Sequence, residues 1–170
     1  MARAGRNSHI KVMIDDLYSA RILTLAANMP RAGRLADADA SSEKISRLCG
    51  SRVLVDLKLE DGRVSDFAQD VQACALGQAA AAVLGENVIG ATVDELETAR
   101  DQLRDMLKAG ARPPEGRFVD LKVLQPVKDY PARHASTLLA FEAAAEAARV
   151  ASGPAGPLGV GSRTSRAGAA

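Results

Sequence analysis

The chain has 170 residues, 47% of them hydrophobic and 25% charged, with a formal net charge of +1; that suits one domain around a single core. The near-neutral balance excludes a global attraction to nucleic acid or anionic membranes, and 3% aromatics without tryptophan leave little for a site built on ring stacking. No apolar run approaches the roughly 20 residues that cross a bilayer, and the basic opening lacks the apolar stretch of a secretion signal.

Residues 1–12 read as a disordered polar tail, and the patterned domain is expected over residues 13–150. Asp15 and Asp16 precede Leu17, Ile22, Leu23 and Leu25, an amphipathic helix ending near Asn28. Pro30, Gly33 and the acidic pair Asp37 and Asp39 mark a loop. Three strands are predicted next. Residues 43–48 form a weak one, closed by the turn Cys49-Gly50-Ser51. In residues 52–59, Val53, Val55, Leu57 and Leu59 alternate with polar neighbours, giving one buried and one wet face. Asp61-Gly62 signals a hairpin, and residues 64–71 return as the third strand of an antiparallel meander.

From Ala73 the chain becomes small and apolar all round, as in a buried, closely packed helix. Thr92 and Glu95 make a capping box, and the stripe Val93, Leu96, Leu103, Met106, Leu107 defines a further helix closed by Gly110. A proline and glycine loop over 110–117 and a short apolar segment over 118–127 lead to a last helix over 132–150. Residues 151–170 are rich in Gly, Ala, Ser and Arg and read as a second disordered tail. Strands first and helices after predict an α+β fold, a three-stranded antiparallel sheet with helices packed on one face.

Two cysteines carry the chemistry. The absence of a secretion signal predicts a cytoplasmic chain, where they serve as thiols or metal ligands rather than a disulfide. Cys49 sits in a strand-connecting turn before Gly50. Cys74 sits where the third strand enters the buried helix, where backbone N–H groups favour a thiolate, the form that binds iron or zinc. In a three-stranded meander the first turn and the exit of the third strand share one end of the sheet. Two sulfurs 25 positions apart can therefore converge. The plain alternative is two cysteines acting as small hydrophobes. His134, at the start of the last helix, is either a ligand or a surface residue of a first turn. No phosphate loop, nucleophile elbow or histidine-rich metal motif is present.

At these residues the chain resembles the NifU/IscU family of iron–sulfur cluster assembly scaffolds. Residues 49–84 resemble its centre, where Cys-Gly-Asp opens alternating strands and a second Cys enters a helix of small residues. Residues 16–35 resemble its first helix and proline-containing loop. Residues 131–144 resemble its final helix, which carries a third Cys. The 59 residues between Cys74 and His134 resemble the longer SufU-type branch. The resemblance implies iron, a transient [2Fe–2S] cluster or zinc on Cys49 and Cys74 with His134 nearby. It also implies a cysteine desulfurase and acceptor apoproteins as partners.

The chain departs from that pattern twice. Ser51 stands where the family has Asp, and Ser is the poorer ligand for a soft site. The third Cys is missing. Set on the family's His-Cys pair, the position is Ala135, with His134 kept; in the ungapped register it is Ser136. Two thiolates fall short of the four protein ligands of a [2Fe–2S] cluster. A carboxylate, a second protomer in a homodimer or a partner's cysteine would have to complete it. The sequence thus points to a cluster scaffold, with a zinc-binding sulfur-transfer partner or an interaction module that keeps only the fold as alternatives.

Overall fold

The computed structural model describes residues 18–153; the expected first tail, the start of the first helix and residues 154–170 of the expected second tail lie outside the described residues, while Ala151, placed in that tail, ends the last helix. The first helix, α1, spans Ala20–Ala27, with the Ser19 side chain accepting from the Ile22 N–H at its start. Only Ile22 and Leu25 of α1 are buried, the narrow stripe expected of a helix lying on a surface.

The sheet is an antiparallel meander in the order β1-β2-β3, from β1 (Ala40–Ser46), β2 (Ser51–Glu60) and β3 (Arg63–Gln72). Val53, Val55 and Leu57 of β2 and Phe67 of β3 point into the core, as period-two alternation requires. β1 begins three residues earlier than the sequence suggests and ends at Ser46, which pairs with Ser51. Its inward positions are Ala40, Ser42 and Ser46, too small and polar to show hydrophobic alternation. The connecting turn is consequently residues 47–50, and Ser51 belongs to β2. Gly50 closes that turn at φ 73°, a left-handed conformation that glycine adopts without steric cost.

Helices cover the inward face. α2 (Ala75–Asn87) is buried on almost every side, with nine buried residues between Leu76 and Gly85. It lies between α1 and the last helix, α4 (His134–Ala151), which packs across β1 and β2. α3 (Val93–Ala109) packs on α4. It carries the expected capping box, Thr92 with Glu95, and ends at Gly110 at φ 69°. Alanines dominate the buried surfaces of α2 and α4, so the two backbones approach closely. At Gly77 a Cβ would lie 2.9 Å from the carbonyl oxygen of Ser136.

The apolar segment after the proline loop is longer and more regular than expected. Residues Gly116–Asp129 form successive 3₁₀ turns. Phe118, Leu121, Leu124 and Val127 are all buried. They recur every third residue, which stacks them on one face of a helix with three residues per turn. Phe118 meets Phe141 of α4 edge to face, with ring centroids 5.2 Å apart. A single turn, Pro131–Arg133, then leads directly into α4.

Candidate metal centre

The β1–β2 turn, the start of α2 and the start of α4 meet at one end of the sheet. Cys49 is exposed on the turn. Two serine hydroxyls hold its sulfur from below, Ser46 at 3.4 Å and Ser51 at 3.1 Å. Both serines are buried, and they face each other as the pair that closes the hairpin. Their hydroxyls can rotate to donate to a thiolate. Hydrogen bonding, from Ser46 first and Ser51 next, outweighs burial and lowers the Cys49 thiol from its ordinary value to about 7. A substantial share is thus thiolate at neutral pH, the form that attacks sulfur and binds metal.

Cys74 is the N-cap residue of α2, with extended backbone (φ −67°, ψ 171°). Its side chain makes no capping hydrogen bond. Its sulfur lies 3.5 Å from the Ser136 hydroxyl instead. Ser136, in the first turn of α4, is buried and also donates to the carbonyl of Arg133 at 3.2 Å. The same hydroxyl helps lower the Cys49 thiol. Ser136 therefore reaches both sulfurs, where the ungapped register sets the family's third cysteine. The close approach at Gly77 brings the first turn of α2 onto that of α4, and so Cys74 onto Ser136.

His134 is placed differently. Its ring is buried, and Nε2 lies 3.0 Å from the Val127 carbonyl and 3.2 Å from that of Lys128. Carbonyls only accept, so Nε2 carries a proton and donates. The ring thereby ties the end of the 3₁₀ segment to the first turn of α4, and only Nδ1 is left for a metal. Among the described residues, no three His, Cys, Asp or Glu side chains gather into a set that could hold a metal ion.

The structure thus brings together Cys49, Cys74 and three hydroxyls, those of Ser46, Ser51 and Ser136. Ser46 is the residue that sequence reasoning missed. Its spacing of three before Cys49 was the available signal, but reading it required knowing that β1 ends at Ser46. The donor set is soft and incomplete, with two thiols beside hydroxyls that are poor ligands for a soft metal.

The family model for the NifU-like N terminal domain matches residues 17–137. The iron–sulfur cluster assembly scaffold protein IscU of Thermotoga maritima is 31% identical over 138 residues, covering 81% of this chain and 96% of that one. The N-terminal part of a nitrogen-fixing NifU-like protein from Brucella abortus has a similar crystal structure, with a TM-score of 0.79 and 58% identity over 81% of this chain and 95% of that one. A cluster assembly scaffold for the SUF system from Fervidobacterium islandicum shares the fold, with a TM-score of 0.72, 23% identity and coverage of 79% and 98%.

Proposed function

The chain belongs to the NifU-like N-terminal domain family, and from that membership we propose that it is an iron–sulfur cluster assembly scaffold. In this reading Cys49 and Cys74 hold iron or a transient [2Fe–2S] cluster for transfer to acceptor proteins. The chain is a carrier rather than an enzyme, works in the cytoplasm and takes its sulfur from a cysteine desulfurase. The observation that carries the reading is the meeting of two cysteines, 25 positions apart, over the hydroxyl of Ser136. Two thiolates fit iron as soft ligands. A shell that one chain fills only in part, at an exposed turn, suits cargo that must be released.

Anaerobic addition of ferrous iron and sulfide to the purified protein tests this reading. Wild type should gain iron, sulfide and cluster absorbance, and a Cys49→Ala/Cys74→Ala double variant should not. Equal iron and equal spectra in the two proteins would sink it.

The exposed, readily ionised Cys49 favours a second reading, in which the chain accepts sulfur while holding zinc. The Cys49 thiolate would attack the outer sulfur of a desulfurase persulfide; a new S–S bond forms on Cys49 as the donor's S–S bond breaks, and the donor leaves as a thiolate. Stoichiometric zinc in freshly purified protein would support this reading, and iron would count against it.

A further inference from the structure

Away from the thiols, β1, α3 and α4 border an open cavity of about 300 Å³. Its lining is charged throughout: Lys44 of β1, Arg100 and Arg104 of α3, and Glu142 and Glu146 of α4. Each helical pair is four residues apart and so shares one face of its helix. None of the five takes part in the thiol site, so what they bind does not rest on the scaffold reading.

A plain surface network of ion pairs would use every charge in it. Glu146 is used, by Lys44 at 2.9 Å and by the Ser42 hydroxyl. The arginines turn instead to their own helix: Arg100 Nε lies 2.9 Å and Arg104 Nη2 3.2 Å from the Asp101 carboxylate. Glu142 is half-buried and has no hydrogen-bond or ion-pair partner among the described residues. Burial pushes its carboxyl up, against the pull of Lys44, Arg100, Lys108 and Arg104. The two terminal nitrogens of Arg100 are without an acceptor as well. One lining therefore carries idle cationic donors and an idle carboxyl group, with space between the elements that hold them.

We propose that this cavity binds a phosphate group, with Lys44, Arg100 and Arg104 donating to its oxygens and Glu142 sharing one proton with it. Either the phosphate keeps an O–H and donates it to the Glu142 carboxylate, or the Glu142 carboxyl keeps the proton and donates to the phosphate. The two forms hold the same atoms and the same total charge. A phosphate group has that proton at hand, because its second ionisation falls near neutral pH, at roughly 6 in an ester. Sulfate carries no proton there, and would meet an ionised Glu142 as a like charge. The arginine fork suits an oxyanion that presents several acceptors. The volume equals that of about ten waters at roughly 30 Å³ each, which leaves room for a small ester group beside the phosphate.

Calorimetric titration of the full chain near neutral pH, in a chloride buffer of low ionic strength, tests this with inorganic phosphate, glycerol 3-phosphate and sulfate as probes. The expected result is one phosphate group per chain, bound about tenfold or more tighter than sulfate. Whichever of the two phosphates binds tighter shows whether the free anion or an ester is the source. Arg100→Gln should weaken phosphate binding by about tenfold, the scale of one lost charge-assisted hydrogen bond. Arg104→Gln reads the same wall of the cavity should the first variant fail to fold. Glu142→Gln should bring phosphate and sulfate to similar affinity, because an amide N–H donates to either anion. Absence of saturable phosphate binding, sulfate bound as tightly as phosphate by wild type, or wild-type affinity in both arginine variants overturns the site. A preference for phosphate that survives in Glu142→Gln overturns it too, since the shared proton is what separates the two anions.

Discussion

Three serines decide what the two cysteines can do. Ser46 and Ser51 hold Cys49 between them, so removing a donor should return the thiol toward its ordinary value. In Ser46→Ala, the midpoint of Cys49 alkylation against pH should move upward from about 7, with the alkylation rate at pH 7 falling several-fold. An unchanged midpoint would show that Ser46 only packs there. The same shift has a stability consequence. A thiol whose folded pKa is depressed adds stability that is full above its unfolded value and lost as pH falls through the folded one. Wild type should therefore gain melting temperature relative to Cys49→Ala between about pH 7 and the ordinary thiol range. Ser136 makes the complementary case. A thiol in its place would face Cys74 and Cys49 directly, so Ser136→Cys should retain iron and sulfide longer during gel filtration. Retention no better than wild type would show that this position does not face the cargo.

At the scale of elements, the site depends on how closely two helices meet. α2 and α4 approach at Gly77, where a methyl group would sit 2.9 Å from the Ser136 carbonyl and 2.9 Å from the Ala73 side chain. Gly77→Ala should cost about 1–3 kcal/mol through overpacking. It should also weaken metal retention, because the first turn of α4 carries Ser136 and that of α2 follows Cys74. Thermal unfolding and iron analysis of one preparation separate the two effects. A variant that loses stability and keeps its iron would show that the helix contact does not set the site. His134 acts at this scale too. It ties the carbonyls of Val127 and Lys128 to α4, joining the 3₁₀ segment to the helix that carries Ser136.

For the whole molecule, the sheet's other face has its own anchor. Asp56 of β2 is buried. Burial pushes its carboxyl up, but hydrogen bonds from Arg34, Ser41 and the Leu35 N–H outweigh that and hold it below its ordinary value. This ties the loop after α1 across the sheet, while the same loop bonds to β3 through Arg31, Gly33 and Gln69. Asp56→Asn removes the charge and leaves the Arg34 guanidinium without its anion. The loss should be about 1–3 kcal/mol, measured by denaturant unfolding, and stability should become less sensitive to acid. In wild type the contribution of Asp56 is full above its unfolded pKa and fades as pH falls through the folded one. An equal acid response in the two proteins would refute the assignment.

The fold was legible wherever a residue's neighbours along the chain settle its environment. The inward alternation of β2, the Asp61-Gly62 turn, the Thr92–Glu95 box and the uniformly small α2 are local patterns, and each stands in the structure; the face of β2 expected to be wet instead holds Asp56 buried under the loop after α1. The three-residue period of Phe118, Leu121, Leu124 and Val127 was present as well, but matches neither of the two commoner periods. The sequence by itself determined that Cys49 and Cys74 lie at one end of a sheet, because a meander's first turn and third-strand exit must. Only the tertiary structure decided what surrounds them. Ser46 became a partner of Cys49 through a strand register, Ser136 became a partner of Cys74 through the close packing of two helices, and the His134 ring was drawn back to the carbonyls of Val127 and Lys128. Such choices depend on where strands stop pairing and how helices pack, which hydrophobic periodicity along the chain does not encode.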